Sequence, residues 1–218
     1  SPMAIVKEWV RLSRGDGKIP LGDYFTFRLY DDDHLTWSDK LRFISDDLHW
    51  PIANRCCDLT WKAATEDKWL CYNILSRLGL PTARTVAVID RANRLFGADP
   101  IVRTPAELKE LVRGHGGDIF AKPNLGVGSF GAVLITGVDG DRLTIEQGEP
   151  IGCGEFFEKI VGEMTYLLQD RLRNHASLAP LTNYLATVRT INLVRPDSIR
   201  TPVALIKIPG PRSIADNY

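Results

Sequence analysis

Apolar residues recur at helical spacing in three segments of the chain, namely residues 4–14, 65–79 and 105–113. Thr65 and Thr104 stand where N-caps are expected in the last two segments, and Gly79 and Gly114 follow their last apolar residues. A capping hydroxyl before an apolar period and a glycine after it are the usual signals of helix ends. The pattern therefore predicts three helices.

The helix predicted over 65–79 is amphipathic, and it carries an unusual charge. Its apolar residues with core spacing are Trp69, Tyr72, Leu75 and Leu78. Lys68 lies in the first turn, where a cation opposes the helix dipole. Either a ligand requires the Lys68 ammonium at this position, or Lys68 is a solvated surface residue.

Short β-rich runs predict strands, mostly in the second half of the chain. They are residues 85–89, 118–121, 132–136, 142–146, 166–172, 185–194 and 202–208. Residues 155–161 predict a further helix, and residues 34–63 lack a clean period and suggest an irregular helical cap. The order of elements indicates an α+β protein.

One strand–loop–strand segment, residues 118–136, carries candidate chemistry. Lys122-Pro123 ends the first strand, and Gly126, Gly128 and Gly131 form a glycine-rich loop before the second. Glycines let a backbone turn tightly and approach a ligand closely. A dinucleotide-binding turn would need a helix after the glycines, where Ala132–Thr136 predicts a strand. A protein-kinase loop would need a lysine on the following strand, and the lysine here precedes the loop. A plain glycine-rich hairpin turn remains the alternative to a ligand site.

Composition sets few limits on function. Apolar residues make up 44% of the chain, and Lys+Arg and Asp+Glu both number 27. No global charge favours nucleic acid or a membrane as partner, and no apolar run approaches the roughly 20 residues that span a bilayer. The four cysteines lack metal-ligand spacing, which predicts buried free thiols in the reducing cytoplasm.

A lysine before the glycine loop resembles the ATP-grasp superfamily, and further motifs occur in the family's order. They are Asp67-Lys68 with Gly79-Leu80-Pro81, Ala121-Lys122-Pro123, Gly126–Gly131, Leu168–Leu172, Thr187-Val188-Arg189, Val203–Lys207 and Asp216-Asn217-Tyr218. The sequence is most similar to the sugar-transfer-associated ATP-grasp branch, which is related to α-L-glutamate ligases. The hinge sequence Gln169–Leu172, the following His175 and the Asp-Asn-Tyr ending support this finer resemblance.

The resemblance implies an ATP-grasp fold, in which two α/β subdomains grip a nucleotide. We expect four regions: an N-terminal helical cap over 1–63, a helix–strand entry subdomain over 64–117, the glycine-loop subdomain over 118–165, and the start of a C-terminal subdomain over 166–218.

The activity that the resemblance implies is ATP-dependent ligation of a small-molecule or peptide carboxylate to an amine acceptor through an acyl phosphate. The implied nucleotide-binding residues are Lys68, Lys122, Gly126, Gly128, Ser129, Gly131, Leu168, Gln169, Asp170 and His175. Arg189, Lys207 and Arg212 would face the carboxylate and the transferred phosphoryl group. ATP and Mg²⁺ are the implied cofactors.

The sequence departs from the family at its end. The family's magnesium ligands follow the Asp-Asn-Tyr position, whereas this sequence stops at Tyr218. We therefore expect the 218 residues to bind nucleotide and to turn it over poorly. Two alternatives to a ligase stay open: a non-catalytic nucleotide-binding module, and an ATP-dependent phosphotransferase that acts on a hydroxyl.

Overall fold

The structure is a computed structural model that describes residues 1–92, 94–146, 148–210 and 214. The chain divides into two compact units, one formed by residues 1–62 and the other by the described residues from 63 onward. The described part is α+β, with a helical N-terminal region and a mixed sheet. The sequence prediction is confirmed at this level.

The N-terminal unit is helical. Its elements are α1 (Pro2–Arg14), α2 (Leu21–Thr26), α3 (Trp37–Lys40), α4 (Asp46–Cys56) and a 3₁₀ turn at Leu59–Trp61. Its core consists of Leu12, Ile19, Tyr24 and Leu29. Lys40 is fully buried as well, and its ammonium donates to the carboxylates of Glu8 and Asp32. A buried charge needs such partners because its desolvation is costly.

The second unit is built on a seven-stranded mixed sheet in the order β2-β1-β7-β3-β4-β5-β6. The strands are β1 (Thr85–Ile89), β2 (Ile101–Val102), β3 (Ile119–Pro123), β4 (Val133–Asp139), β5 (Arg142–Ile145), β6 (Ile151–Gly152) and β7 (Tyr166–Asp170). β1 and β2 are parallel, and every other neighbouring pair is antiparallel. Its helices are α5 (Lys62–Glu66), α6 (Lys68–Arg77), α7 (Pro105–His115) and α8 (Cys153–Glu155), which continues as a π-helix over Phe156–Val161.

The two faces of the sheet bury different residues because side chains alternate along each strand. Tyr166 and Leu168 of β7 belong to the main core, which also contains residues of α7 and the π-helix. Leu167 belongs to a smaller cluster, against which Trp69 and Tyr72 of α6 pack. Helix α6 thus lies on the same face as Leu167.

Two strands form a separate antiparallel ribbon, β8 (Thr187–Arg195) and β9 (Ser198–Lys207). Most of its apolar side chains are exposed: Val188, Ile191, Leu193, Val194, Ile199, Val203, Leu205 and Ile206. Val188 and Ile191 lie in the regularly paired part of the ribbon, differ by an odd number of positions and so occupy opposite faces. Both faces of the ribbon are therefore apolar and exposed.

Several local predictions need correction. Helix α6 begins two positions later than predicted, with Asp67 rather than Thr65 as its N-cap, because the Asp67 carboxylate accepts from Leu70 N. Helix α7 has Thr104 as its N-cap, as predicted, but it ends at His115, and its C-cap is Gly116, with a left-handed φ of 71°, rather than the predicted Gly114. The sequence predicts a helix over 155–161. The structure has a π-helix there, over Phe156–Val161, which continues α8.

The cysteine prediction was partly wrong. All four thiols are free, but only Cys153 is buried, and Cys56 and Cys57 are exposed. Among the described residues, every helix falls short of the length and apolarity that a membrane span requires.

Candidate functional site

A cavity of about 540 Å³ lies between α6, the glycine loop and the end of β7. This volume is within the ordinary range for small-molecule and cofactor sites. Its wall includes α6 residues, the segment 81–83, β3, the loop residues 125–130 and the segment from Gln169 to Leu172. Tyr184, Leu185 and Thr187 line it as well. Segments far apart in sequence therefore converge on one pocket.

Lys122 extends from β3 into this cavity. Its ammonium donates to Tyr72 Oη at 2.7 Å and lies 4.7 Å from the centre of the Tyr72 ring. It forms no ion pair with a carboxylate of the described residues. Burial lowers the pKa of Lys122 to about 8 because desolvation disfavours the ammonium. An anionic ligand would supply the counter-charge that this side chain lacks.

Lys68, the first residue of α6, lines the same cavity. Its Nζ donates to Gly126 O at 2.8 Å and to Asn124 O at 3.1 Å. Burial, and then the charge of Lys122, lower the pKa of Lys68. The alternative of a solvated surface lysine is wrong, because Lys68 is half-buried and bonded to the glycine loop.

Asn124 connects the start of the glycine loop to the start of α6. It is 1% exposed, and its Oδ1 accepts from Trp69 N at 2.8 Å while its backbone oxygen accepts from Lys68 N at 3.2 Å. The Asn124 side chain thus bonds one of the backbone N–H groups that a helix start leaves unpaired. Its Nδ2 is buried and has no hydrogen-bond partner among the described residues.

The glycine loop uses left-handed backbone at Gly126, Gly128, Ser129 and Gly131. Gly131 also admits a close approach, since a Cβ there would lie 2.6 Å from Tyr166 Oη and 3.1 Å from Pro123 Cγ. No larger residue fits at this position without displacing its neighbours. Two apolar side chains of the loop, Val127 and Phe130, line the cavity and are strongly exposed.

The end of β7 forms the other wall of the cavity. Gln169 is buried, and its Nε2 donates to Ala83 O at 3.4 Å. Asp170 is held by Arg84, whose Nε and Nη2 lie 2.7 Å and 3.0 Å from its two carboxylate oxygens. His115 Nε2 lies 3.1 Å from Asp170 Oδ1. The Asp170 carboxylate is therefore engaged by protein groups.

The structure brings together most of the predicted nucleotide-binding residues, and it places the others elsewhere. Lys68, Lys122, Gly126, Gly128, Ser129, Gln169 and Asp170 line the cavity. Gly131 contacts Tyr166 just behind the loop, and Leu168 is buried in the main core. His175 is exposed, with its Nδ1 2.9 Å from Ser177 Oγ, and it does not line the cavity.

The predicted catalytic residues lie along the ribbon or outside the described residues. Arg189 is exposed on β8, two positions from Thr187 and so on the same face. Lys207 of β9 is paired directly opposite Thr187. Neither cation lines the cavity, although Thr187 does. Arg212 lies outside the described residues.

Sequence reasoning missed several residues of the cavity. Tyr72 and Leu75 were interpreted as core, but they follow Lys68 by four and seven positions and so share its helical face. Phe120 precedes Lys122 by two positions on a strand and shares its face. These spacings could have identified them. No local pattern marks Tyr184 or Leu185 of the cavity wall, or Asn124, which bonds the start of α6.

The described residues do not form a site that fits a metal ion. No group of three or more His, Cys, Asp or Glu side chains is suitably placed among them. Asp170 is the acidic residue among the described residues of the cavity wall, and Arg84 and His115 already bind it. Mg²⁺ favours carboxylate oxygens, and those of Asp170 are already engaged by Arg84 and His115.

Comparison of the chain with known protein families, with curated proteins and with solved structures gave no match.

Proposed function

We propose that this protein binds ATP in the cavity beside the glycine loop, as an ATP-grasp-type nucleotide-binding protein. The observation that carries this proposal is the convergence of Lys68 and Lys122 on one cavity, in which neither ammonium has a carboxylate partner among the described residues. Two unneutralised cations beside a glycine loop favour a polyphosphate. The resemblance of the motifs to the ATP-grasp superfamily agrees with this ligand.

In this proposal the cavity binds the two ends of ATP differently. Lys122 and the glycine loop bind the phosphates, and Lys68 supports the loop while adding positive charge. The base occupies the end of β7, between the segment 81–83 and residues 169–172, where Leu172 and Leu185 supply apolar surface. The predicted backbone contacts of Leu168 and Gln169 with adenine are not available, because β7 is paired with β1 on one side and with β3 on the other. The Gln169 side chain and the segment from Asp170 to Leu172 would contact the base instead.

We further propose ligation of a carboxylate to an amine through an acyl phosphate, in the cytoplasm. The carboxylate attacks the γ-phosphorus of ATP, ADP leaves, and the amine then displaces phosphate from the acyl carbon. Such chemistry depends mainly on positioning and charge neutralisation. Arg189 and Lys207 are the candidate cations for the acyl phosphate, because both adjoin Thr187 of the cavity wall. The described residues do not fit a protein-bound Mg²⁺, so we assign no step to a metal held by them.

A non-catalytic nucleotide-binding module is the second candidate. The engagement of Asp170 by Arg84 and His115 favours it, because this carboxylate is then committed to the protein. ATP-dependent phosphate release with candidate acceptors distinguishes an enzyme from such a module. Trapping with hydroxylamine, which converts an acyl phosphate to a hydroxamate, distinguishes a ligase from a phosphotransferase.

Calorimetric titration with ATP and with NAD tests nucleotide binding. We expect binding of ATP alone. Lys122→Ala should weaken ATP binding by about 1.5–3 kcal/mol, the range of a charge-assisted hydrogen bond. Lys68→Ala should weaken it less, because Lys68 already donates to loop carbonyls.

Lys159→Ala is the matched control, since Lys159 lies outside the cavity wall and pairs with Glu155. This variant should bind ATP like the unaltered protein. Preference for NAD would contradict the proposal, as would normal ATP binding by folded Lys122→Ala and Lys68→Ala variants.

A further inference from the structure

The Tyr166 side chain connects elements on both sides of the glycine loop. Its backbone is paired with Pro123, the last residue of β3, from which the loop departs. Its hydroxyl lies 3.0 Å from Gly131 O, where the loop returns toward β4. One residue therefore contacts the chain where the loop begins and where it ends.

The ring and the hydroxyl of Tyr166 have separate surroundings. The side chain is fully buried, and the ring packs in the main core with its centroid 6.4 Å from that of Phe156. The hydroxyl fills the space where a Cβ of Gly131 would lie, 2.6 Å away. The ring would thus stay in place if the hydroxyl alone were removed.

The hydroxyl also has a second acceptor, Ile160 O of the π-helix, at 3.1 Å. A phenol has one proton to donate, so the two carbonyls compete for it. If Gly131 moved away, the proton would pass fully to Ile160 O, and no buried donor would be left unpaired. The contact with the loop can therefore break and form again without leaving a buried donor unpaired.

We propose that the Tyr166 hydroxyl is a positioning group that tethers the closing end of the glycine loop, and that its second acceptor makes the tether reversible. The inference rests on the proposed function in one respect: the loop that Tyr166 holds is the one assigned to the phosphates. Tyr166 acts through the loop and does not itself line the cavity.

Tyr166→Phe removes the hydroxyl and keeps the ring. The first measurement is amide hydrogen exchange of residues 124–132 in the nucleotide-free protein. Loss of one hydrogen bond should speed exchange there by about three- to tenfold. Tyr24→Phe is the control, because Tyr24 is equally buried, donates to Glu8 and belongs to the N-terminal unit. It should leave exchange in the loop unchanged.

The second measurement compares ATP, ADP, AMP and adenosine by calorimetry. Because the loop is assigned to the distal phosphates, Tyr166→Phe should raise the Kd for ATP by about three- to tenfold and leave that for adenosine unchanged. Equal weakening of all four ligands would show general damage and overturn the proposal. Unchanged loop exchange would overturn it as well. If the unaltered protein bound no adenine compound, the proposed function would fail, while the exchange result would still decide whether Tyr166 tethers the loop.

Discussion

Lys122 is the residue whose protonation the site controls most directly. Its pKa is about 8 because of burial, and the groups around its ammonium are the Tyr72 hydroxyl, Cys71 and the Lys68 ammonium. A bound polyphosphate favours the charged form and raises this pKa. Above pH 8, Lys122 is therefore mostly neutral in the empty site and charged in the occupied site.

We predict that ATP affinity falls as the pH rises through about 8. Below that value Lys122 is already charged in the empty site, and binding takes up no proton there. Above it, binding must protonate the amine, which costs more at each higher pH. The terminal phosphate, with a pKa of about 6, is already ionised in this range.

Calorimetry in buffers of different ionisation enthalpy would measure the proton uptake directly. Lys122→Met has no titrating group at this position and should show a flatter dependence on pH. Equal slopes for Lys122→Met and the unaltered protein would assign the titration to another group.

Asn124 provides a second prediction for a single residue. Asn124→Ala removes the acceptor for Trp69 N and should lower the free energy of unfolding by about 1 kcal/mol, as loss of a helix cap does. It should also weaken ATP binding by displacing Lys68. Asn124→Asp keeps the acceptor for Trp69 N but buries a carboxylate at a position that is 1% exposed. It should therefore also lower stability, by an amount that decreases as the carboxyl becomes protonated at low pH.

A double-mutant cycle tests this role. In a Lys68→Ala background, Asn124→Ala should no longer affect ATP affinity, although it should still lower the melting temperature. Additive effects of the two substitutions on affinity would show that Asn124 does not act through Lys68.

The lysines and glycines of the site could be predicted from sequence, whereas their partners could not. Lys122, Gly126, Gly128 and Gly131 form a local pattern, and a local pattern reports backbone conformation. The contacts of Asn124 with Trp69 and of Tyr166 with Gly131 join residues that are distant in sequence. Such pairs depend on how the strands are ordered, which no spacing along the chain reveals.

Among the elements, strands were predicted more reliably than helix ends. The β3–loop–β4 arrangement is confirmed, because Pro123 and the glycines mark it strongly. The start of α6 was misplaced since Thr65 and Asp67 are both good capping residues, and the fold decides between them. Helical spacing also suggested that Leu78 is core, yet it is exposed, because α6 ends at Arg77.

The end of β7 is held by the Arg84–Asp170 pair, and this pair leads to a prediction for the base-binding wall. Besides the two side-chain contacts, Asp170 N donates to Arg84 O at 3.0 Å. Arg84→Ala should loosen the segment 81–84 against β7. The pair is partly exposed, so the effect on affinity should be small, up to about fivefold.

Because this wall is assigned to the base, Arg84→Ala should weaken ATP and adenosine to the same extent. Arg113→Ala, which breaks a surface pair with Glu110 on α7, should weaken neither. Selective loss of ATP binding in Arg84→Ala would contradict the assignment of this wall to the base.

At the scale of the whole molecule, the candidate site belongs to the second of the two units. Every described residue that lines the cavity lies after residue 62, and the second unit has its own core. A unit with its own core can fold alone. We predict that residues 63–218, expressed alone, bind ATP with the affinity of the whole chain. A large loss of affinity in a folded fragment, measured by calorimetry, would show that the N-terminal unit contributes to binding.

The β8–β9 ribbon has a consequence for the behaviour of the protein in concentrated solution. Its exposed apolar side chains occur on both faces, so a twist or tilt of the ribbon cannot hide them all. Exposed apolar strands promote aggregation, and charged side chains along them oppose it. Arg189, Arg195 and Arg200 are exposed on these strands. Solubility should therefore depend on these three arginines far more than on the overall charge, which is balanced at 27 basic and 27 acidic residues.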